Sequence, residues 1–105
     1  MISIIIPVYN ESTNLEVLTK KIILSLKNIN YEVIFINDGS VDESLNILNN
    51  IINNNNNFLC VNFKRNYGQT AALQAGFDYA TGKVIVAMDG DLQNDPADIP
   101  RLLKK

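Results

Sequence analysis

The chain has 105 residues, of which 47% are hydrophobic and 19% charged, and its formal net charge is −2. This composition predicts one globular domain with a single core, and the lack of basic runs argues against nucleic acid as a partner. The chain contains no histidine, which excludes Ser-His-Asp and Cys-His catalysis. Its single cysteine, Cys60, excludes an internal disulfide and is expected to be a buried, inert thiol because it lies in an apolar run.

Four short apolar runs rich in β-branched residues are spaced along the chain. They cover residues 2–8, 31–37, 58–63 and 84–88. Solidly apolar runs of this length are typical of strands that are buried on both faces, as in a parallel sheet. We therefore expect four strands in these positions.

Helical patterns fill the intervals between the strands. Two capping boxes, each a hydroxyl residue three places before a glutamate, predict helix starts at Thr13 and Ser40. An alanine-rich segment predicts a third helix over 69–81, ending at a Thr-Gly pair, and a last helix is expected from Pro96 or Pro100. The order βαβαβαβα predicts an α/β fold with a parallel sheet and right-handed crossovers.

A polar segment follows each predicted strand directly. These segments are 9–11 (YNE), 38–42 (DGSVD), 64–68 (KRNYG) and 89–91 (DGD). In open α/β sheets ligands bind at the carboxyl ends of the strands, so we expect the four segments to form one site. The chain lacks both a G-x-G-x-x-G fingerprint and a P-loop, so a phosphate-bearing ligand would need its charge neutralised in another way.

Oxygen ligands for a divalent cation follow the fourth predicted strand. Asp89, Asp91 and Gln93 suit Mg²⁺ or Mn²⁺ and leave coordination positions open for a diphosphate. A D-x-D alone occurs by chance in roughly one chain in four of this length, and a simple strand-to-loop turn would explain it equally well. Its position after a strand, with three companion segments at the same edge, favours a cation site.

Three longer segments carry a more specific signal: SIIIPVYNES, INDGSVDES and RNYGQTAALQAGFDYATGKVIVAMDGDLQNDPADIPRLL. Together they resemble the family 2 glycosyltransferases with the GT-A fold. The pattern R-N-x-G, A-G-x-x-x-A-x-G, D-x-D-L-Q-x-x-P is similar to that of the polyprenyl-phosphate members, which act on dolichol or undecaprenyl phosphate. The resemblance implies a Rossmann-like nucleotide-sugar-binding half over residues 1–105, with the acceptor half absent.

The resemblance also implies nucleotide-binding roles for residues after each strand: Pro7, Tyr9, Glu11, Asp38, Arg65, Gly68 and Asp89. The first three match the segment that cradles the nucleobase, and Asp38 matches the acid that recognises the base edge. Asp89 and Asp91 match the catalytic acids, and these two with Gln93 match the metal set. Other interpretations are a packing role for Tyr9, a surface charge for Arg65 and a turn at Asp38.

The implied reaction is an inverting, metal-dependent transfer of a sugar from a nucleotide diphosphate to a polyprenyl phosphate. UDP-sugar is favoured over GDP-sugar as the donor. The phosphate acceptor has a second pKa near about 6 and needs little help from a general base, which is compatible with the absence of histidine. The cation would stabilise the leaving diphosphate.

Two alternative functions stay open at this point, a glycan-chain-extending family 2 glycosyltransferase and a non-catalytic nucleotide-sugar-binding fragment. A receiver-like signalling domain would require an acidic pair after the first strand, but Glu11 is the only acidic residue there.

Without an acceptor half, we expect the chain alone to lack transfer activity and to self-associate through apolar surface. No apolar run approaches about 18 residues, so we expect a cytoplasmic domain. The resemblance implies that its full-length parent works at the cytoplasmic face of the membrane.

Overall fold

The computed structural model describes residues 1–90, Pro96 and Ile99. Within them the chain forms a four-stranded sheet flanked by three helices. The elements are β1 (Ile2–Val8), α1 (Leu15–Ser25), β2 (Tyr31–Asn37), α2 (Ser44–Asn54), β3 (Phe58–Asn62), α3 (Gln69–Tyr79) and β4 (Val84–Ala87). The predicted alternation of strands and helices is confirmed, and β3 and β4 each end one residue earlier than predicted.

The sheet is parallel throughout and has the strand order β3-β2-β1-β4. β1 pairs with β2 over its full length, from Ile2 opposite Tyr31 to Val8 opposite Asn37. The chain first builds outward from β1 to β3 and then crosses back to place β4 on the other side of β1. The strand order therefore reverses between β1 and β4, and ligands in such sheets bind beside the carboxyl ends at this point.

The core lies on both faces of β1 and β2. On one face the helical spacing of Leu18 and Ile22 in α1, with Leu48 in α2, buries an apolar stripe against alternate residues of the strands. On the other face Ala72 of α3 packs against a cluster that includes Ile5. This two-sided burial explains why the central strands are continuous apolar runs.

The first two helices do not start at the predicted capping boxes, and that part of the prediction is wrong. Asn14 is the N-cap of α1 and Glu43 is the N-cap of α2, and neither makes a side-chain capping hydrogen bond. The hydroxyl predicted to cap the second helix serves a tertiary contact instead, because Ser40 Oγ accepts the backbone N–H of Asn10 at 3.0 Å.

The third helix ends at Tyr79, before the predicted Thr-Gly cap. Thr81 and Gly82 belong to a hydrogen-bonded cluster at the amino ends of the strands. The carboxylate of Glu32 accepts the N–H and hydroxyl of Thr81 at 2.8 and 3.0 Å, and Gly82 N–H donates to Ser3 Oγ at 2.8 Å. The predicted cap is wrong because these residues tie the α3–β4 connection to the sheet.

Cys60 lies half-buried in β3. Burial raises the pKa of its thiol to about 11, which outweighs a hydrogen bond with the backbone of Asn37. At neutral pH the thiol is therefore protonated, as expected of an inert cysteine.

The predicted last helix, near Pro96 or Pro100, falls largely outside the described residues and stays a prediction. In the part of the chain that the structure describes, no helix is both long enough and apolar enough to cross a membrane.

Candidate functional site

A cavity of about 260 Å³ opens at the carboxyl ends of β1, β2 and β4, beside the start of α3. Six residues with a predicted nucleotide-binding role line it: Pro7, Tyr9, Glu11, Asp38, Gly68 and Asp89. The parallel sheet brings these residues together from segments that are far apart in the chain. Their individual roles stay predictions.

Asp38 is 4% exposed at the end of β2, and its carboxylate is held by the loop that precedes α3. Its Oδ1 accepts the N–H of Tyr67 at 2.7 Å. Its Oδ2 accepts the N–H of Gly68 at 3.0 Å and the side-chain amide of Asn66 at 3.1 Å. A carboxylate offers about four acceptor positions, so these donors occupy all but about one of them.

Gly39 lets the loop after β2 approach the loop after β3 closely. Its φ is +71°, and a Cβ at this position would lie 2.3 Å from the carbonyl carbon of Arg65 and 2.4 Å from the nitrogen of Asn66. No side chain fits such a contact with backbone. Next to it, Asn37 Nδ2 donates to Asn62 Oδ1 at 3.2 Å, which joins the ends of β2 and β3.

Arg65 is the one described residue of the predicted nucleotide set that does not line the cavity. Its guanidinium carbon lies 5.0 Å from the ring centroid of Tyr67. Tyr67 in turn meets Phe63 edge-on, with centroids 5.6 Å apart. The guanidinium is thus engaged with an aromatic face of its own loop, a favourable cation–π arrangement.

The loop after β1 places Glu11 at the cavity. Asn10 has a φ of +54°, a conformation that asparagine tolerates better than most residues, and its side-chain oxygen accepts the N–H of Val41 at 2.8 Å. The N–H of Glu11 donates to Ser44 Oγ at 3.1 Å, and its carboxylate accepts Asn14 Nδ2 at 2.8 Å. Both backbone and side chain of Glu11 are therefore fixed.

Asp42 joins the loop after β1 to the start of α2. Its carboxylate accepts the N–H of Ser44 at 2.9 Å and the N–H of Ser12 at 3.3 Å. Hydrogen bonding, first from the Ser44 hydroxyl and then from these amides, outweighs burial and lowers the pKa of Asp42 to about 2. Asp42 is therefore ionised at neutral pH and braces the segment that carries Glu11.

Asp89 is half-buried and follows β4 at the cavity wall. Gln69, the first residue of α3, places its Nε2 3.5 Å from Asp89 Oδ1. The next residue, Gly90, packs against the loop after β1, since a Cβ there would lie 3.4 Å from both Glu11 Cγ and the carbonyl oxygen of Pro7. The loops after β1 and β4 thus form one continuous wall.

The donors that the cavity offers fit a hard divalent cation in chemical type, because Asp89 and Glu11 supply carboxylate oxygens. Asp91 and Gln93, the other members of the predicted metal set, lie outside the described residues. Among residues 1–90, 96 and 99 there is no group of three or more His, Cys, Asp or Glu that could hold a metal ion. The metal set stays a prediction.

Two further polar residues line the cavity: Asn66, which belongs to the predicted site segment 64–68, and Gln69, which was not singled out from the sequence. Both stand within the segment RNYGQ, between a predicted strand and a predicted helix. A signal was available, because the residue that opens a helix after a carboxyl-end loop must lie at the same edge of the sheet as that loop.

The model of glycosyl transferase family 2 matches residues 3–105 of this chain. The chain belongs to glycosyl transferase family 2. The undecaprenyl-phosphate 4-deoxy-4-formamido-L-arabinose transferase of Proteus mirabilis is 42% identical over 97% of this chain and 32% of its own length. The enzyme of that name from Pseudomonas fluorescens is 41% identical over 99% of this chain and 31% of its own. The chain therefore spans about a third of the length of these family 2 relatives.

Solved structures share the fold. S. aureus TarS 1-349 has a TM-score of 0.80 at 20% identity, over 98% of this chain and 31% of its own, and has been solved with UDP and with UDP-GlcNAc. The mannosyltransferase PcManGT of Pyrobaculum calidifontis, solved with GDP-Man and Mn²⁺, has a TM-score of 0.77 at 22% identity, over 86% of this chain and 27% of its own. These likenesses and the parallel sheet confirm the predicted α/β fold of the GT-A type.

Proposed function

We propose that this family 2 chain is the nucleotide-sugar-binding part of an enzyme that transfers a sugar from a nucleotide diphosphate to a polyprenyl phosphate. The observation that carries the proposal is the cavity at the strand-order reversal, where carboxylates from three separate loops meet. The names of the relatives support undecaprenyl phosphate, or a lipid phosphate like it, as the acceptor. The enzyme would meet this acceptor at the cytoplasmic face of the membrane.

The donor base is proposed to lie between Tyr9 and Asp38. Tyr9 lines the cavity with 48% of its surface exposed, which leaves its ring available for stacking. Asp38 has about one acceptor position left after its bonds to the 66–68 loop. Uracil presents one ring N–H on its pairing edge, whereas guanine presents a ring N–H beside an amino group. A single free acceptor position therefore favours a UDP-sugar over a GDP-sugar.

The diphosphate is proposed to bind at Asp89, on the loop after β4. Asp89, with Asp91 and Gln93, would hold Mg²⁺ or Mn²⁺, and Glu11 would face the same cavity. The bound cation supplies Lewis-acid stabilisation of the charge that develops on the leaving diphosphate. Gly68 and Arg65 lie on the loop that is proposed to lie beside the nucleotide, and Gln69 would orient Asp89 through its side-chain amide.

No residue of this chain is needed as a general base. A lipid phosphate has a second pKa near about 6 and is largely an anion at neutral pH, so it can attack the anomeric carbon directly. Attack from the face opposite the leaving diphosphate inverts that carbon. The residues that position the acceptor are proposed to lie outside the nucleotide-binding part described above.

Calorimetric titration of the purified chain with UDP and GDP, each with and without Mn²⁺, tests the binding site. We expect UDP to bind at least ten-fold more tightly than GDP, and Mn²⁺ to raise the affinity for UDP. Asp89→Asn should lose most of the increase, because an amide cannot supply the charge that the cation needs. Asp78→Asn, an equivalent change on the exposed side of α3, should keep it. A folded chain that binds UDP equally with and without Mn²⁺ would contradict the metal proposal.

Transfer is tested with membranes that contain the protein, incubated with a radiolabelled UDP-sugar. A lipid phosphate acceptor predicts label in an organic-solvent extract, bound to the lipid through a linkage that mild acid cleaves. Label that enters only water-soluble or polymeric glycan would instead identify a chain-extending family 2 enzyme.

A further inference from the structure

Asp38 and residues 66–68 form one hydrogen-bonded unit, which we call the Asp38 clamp. The carboxylate, 4% exposed, accepts the backbone N–H groups of Tyr67 and Gly68 and the side-chain amide of Asn66. Asn66 Nδ2 also lies 3.2 Å from the backbone carbonyl oxygen of Asp38. We propose that Asp38 is a positioning residue, which sets the conformation of the loop before α3 and through it the shape of the cavity.

The clamp is connected to the loop after β4 by the start of α3. Gly68, which the clamp holds, is the N-cap of this helix and has a φ of +98°. Gln69 follows at the first helical position and its side chain reaches Asp89. A shift of the 66–68 loop would therefore move the residue that contacts Asp89. The effect of Asp38 should extend to the part of the cavity where a diphosphate is proposed to bind.

A second contact holds the same two loops together independently of the carboxylate. Gly39 lies so close to the backbone of Arg65 and Asn66 that a Cβ would overlap it, at 2.3 and 2.4 Å. The loop after β2 therefore holds the loop after β3 in two ways, by hydrogen bonds from Asp38 and by direct backbone contact at Gly39. Both contacts fix the position of the loop, and neither involves a ligand.

The simpler role for Asp38 is recognition of the base alone. The two roles differ in a measurable way, because a ligand that has no base should be indifferent to a residue that only contacts the base. If Asp38 positions the loop, the same substitution also weakens binding of pyrophosphate with Mn²⁺. This comparison depends on the proposed nucleotide-binding function, whereas the state of the loop can be measured without any ligand.

The ligand-free test is amide hydrogen exchange in Asp38→Asn. An asparagine has one oxygen in place of two, so its NH₂ group would face the N–H of either Tyr67 or Gly68, and the loss of that hydrogen bond would loosen the loop that carries both amides. We expect these two amides to exchange at least ten-fold faster than in the wild-type chain. Asp78→Asn, the exposed control, should leave them unchanged. Unchanged protection at Tyr67 and Gly68 in Asp38→Asn would overturn the clamp.

Asn66→Ala is a second, milder variant, which tests the clamp even if Asp38→Asn does not fold. Asn66 is exposed, and alanine removes a single donor from the clamp, so the fold should persist. Exchange at Tyr67 and Gly68 should accelerate several-fold, less than in Asp38→Asn. Equal exchange in Asn66→Ala and the wild type would also count against the proposal.

The ligand test compares UDP with pyrophosphate, each with Mn²⁺, by calorimetric titration. We expect Asp38→Asn to weaken the binding of both at least ten-fold. A loss confined to UDP would leave Asp38 as a base-contacting residue and overturn the positioning role. If the folded wild-type chain bound neither ligand, the proposed function would fail, while the exchange measurement would still decide whether the clamp exists.

Discussion

The hydroxyl of Ser3 donates to the carboxylate of Glu32 at 2.5 Å and joins β1 to β2 at the amino ends of the strands. The same carboxylate accepts two hydrogen bonds from Thr81, and Ser3 Oγ accepts the N–H of Gly82. The crossover from α3 to β4 is thereby fastened to the sheet at the end opposite the cavity. Asp89 follows β4, so this cluster at one end of the sheet supports the site at the other.

Glu32→Ala should lower the free energy of unfolding by about 1–3 kcal/mol, because three hydrogen bonds to a charged acceptor are lost. Burial raises the pKa of Glu32, but the hydrogen bonds from Ser3, Thr81 and Gly82 together outweigh it and lower the pKa. The stabilisation is therefore present above the ordinary glutamate pKa, about 4.3, and is lost as the pH falls through the lower value in the folded state. Urea unfolding at several pH values measures it.

Glu16→Ala is the control for this prediction, since Glu16 is exposed on α1. At pH 7 its free energy of unfolding should fall by less than that of Glu32→Ala, because Glu16 makes only the modest favourable interaction of an exposed acid in the first turn of a helix. A Glu32→Ala variant as stable as this control at pH 7 would show that the cluster does not hold the α3–β4 connection.

Asp42→Asn should make the chain less stable above pH 4 than the wild type, by an amount that vanishes in acid. The pKa of Asp42 is lowered to about 2, with the Ser44 hydroxyl as the main cause. Its contribution is thus complete above the ordinary aspartate pKa of about 3.9 and is lost as the pH falls through about 2. Melting temperatures measured from pH 1.5 to 6 should converge at the acid end. A constant difference across this range would contradict the assignment.

Substitution by alanine should weaken ligand binding at Gly39 but have little effect at Gly90. At Gly39 the φ is +71° and a Cβ would lie 2.3 Å from backbone, so Gly39→Ala should separate the loops and weaken UDP binding at least ten-fold. At Gly90 the nearest atoms, Glu11 Cγ and the oxygen of Pro7, would lie at 3.4 Å, an ordinary contact. Gly90→Ala should bind UDP within about two-fold of the wild type, and titration of both variants compares them. Equal effects would mean that close approach at Gly39 is unimportant.

The central strands were predictable because burial on both faces of β1 and β2 requires continuous apolar runs. The edge strands β3 and β4 were located by the same pattern, but the expectation that they are buried on both faces is wrong, since most of their residues are exposed or half-buried. The convergence of polar segments followed from parallel pairing. The helix starts were not predictable, since Ser40 and Ser44 bond across to the loop after β1 instead of capping their own helix. A local sequence pattern cannot show whether such a hydroxyl bonds the backbone of its own helix or a residue that is distant in sequence.

The contacts that individual side chains make at the site could not be predicted from the sequence either. Arg65 and Asp38 stand out as charged residues beside a predicted ligand edge. Only the folded loop shows that the first lies on Tyr67 and that the second is largely occupied by backbone amides. Both contacts depend on the conformation of the loop after β3, and the spacing of apolar residues does not predict the conformation of a loop.

Tyr9→Ala should weaken the binding of UDP without changing that of pyrophosphate. Tyr9 lines the cavity and is half-exposed, and stacking of a base on an aromatic ring contributes roughly 1–3 kcal/mol. The affinity for UDP should therefore fall about 5- to 150-fold, and titration with both ligands in the presence of Mn²⁺ measures the difference. Tyr79→Ala is the matched control, since Tyr79 is also exposed but ends α3 away from the cavity. If Tyr9→Ala weakened UDP and pyrophosphate equally, Tyr9 would act by packing within its loop, the alternative that its position in the sequence left open.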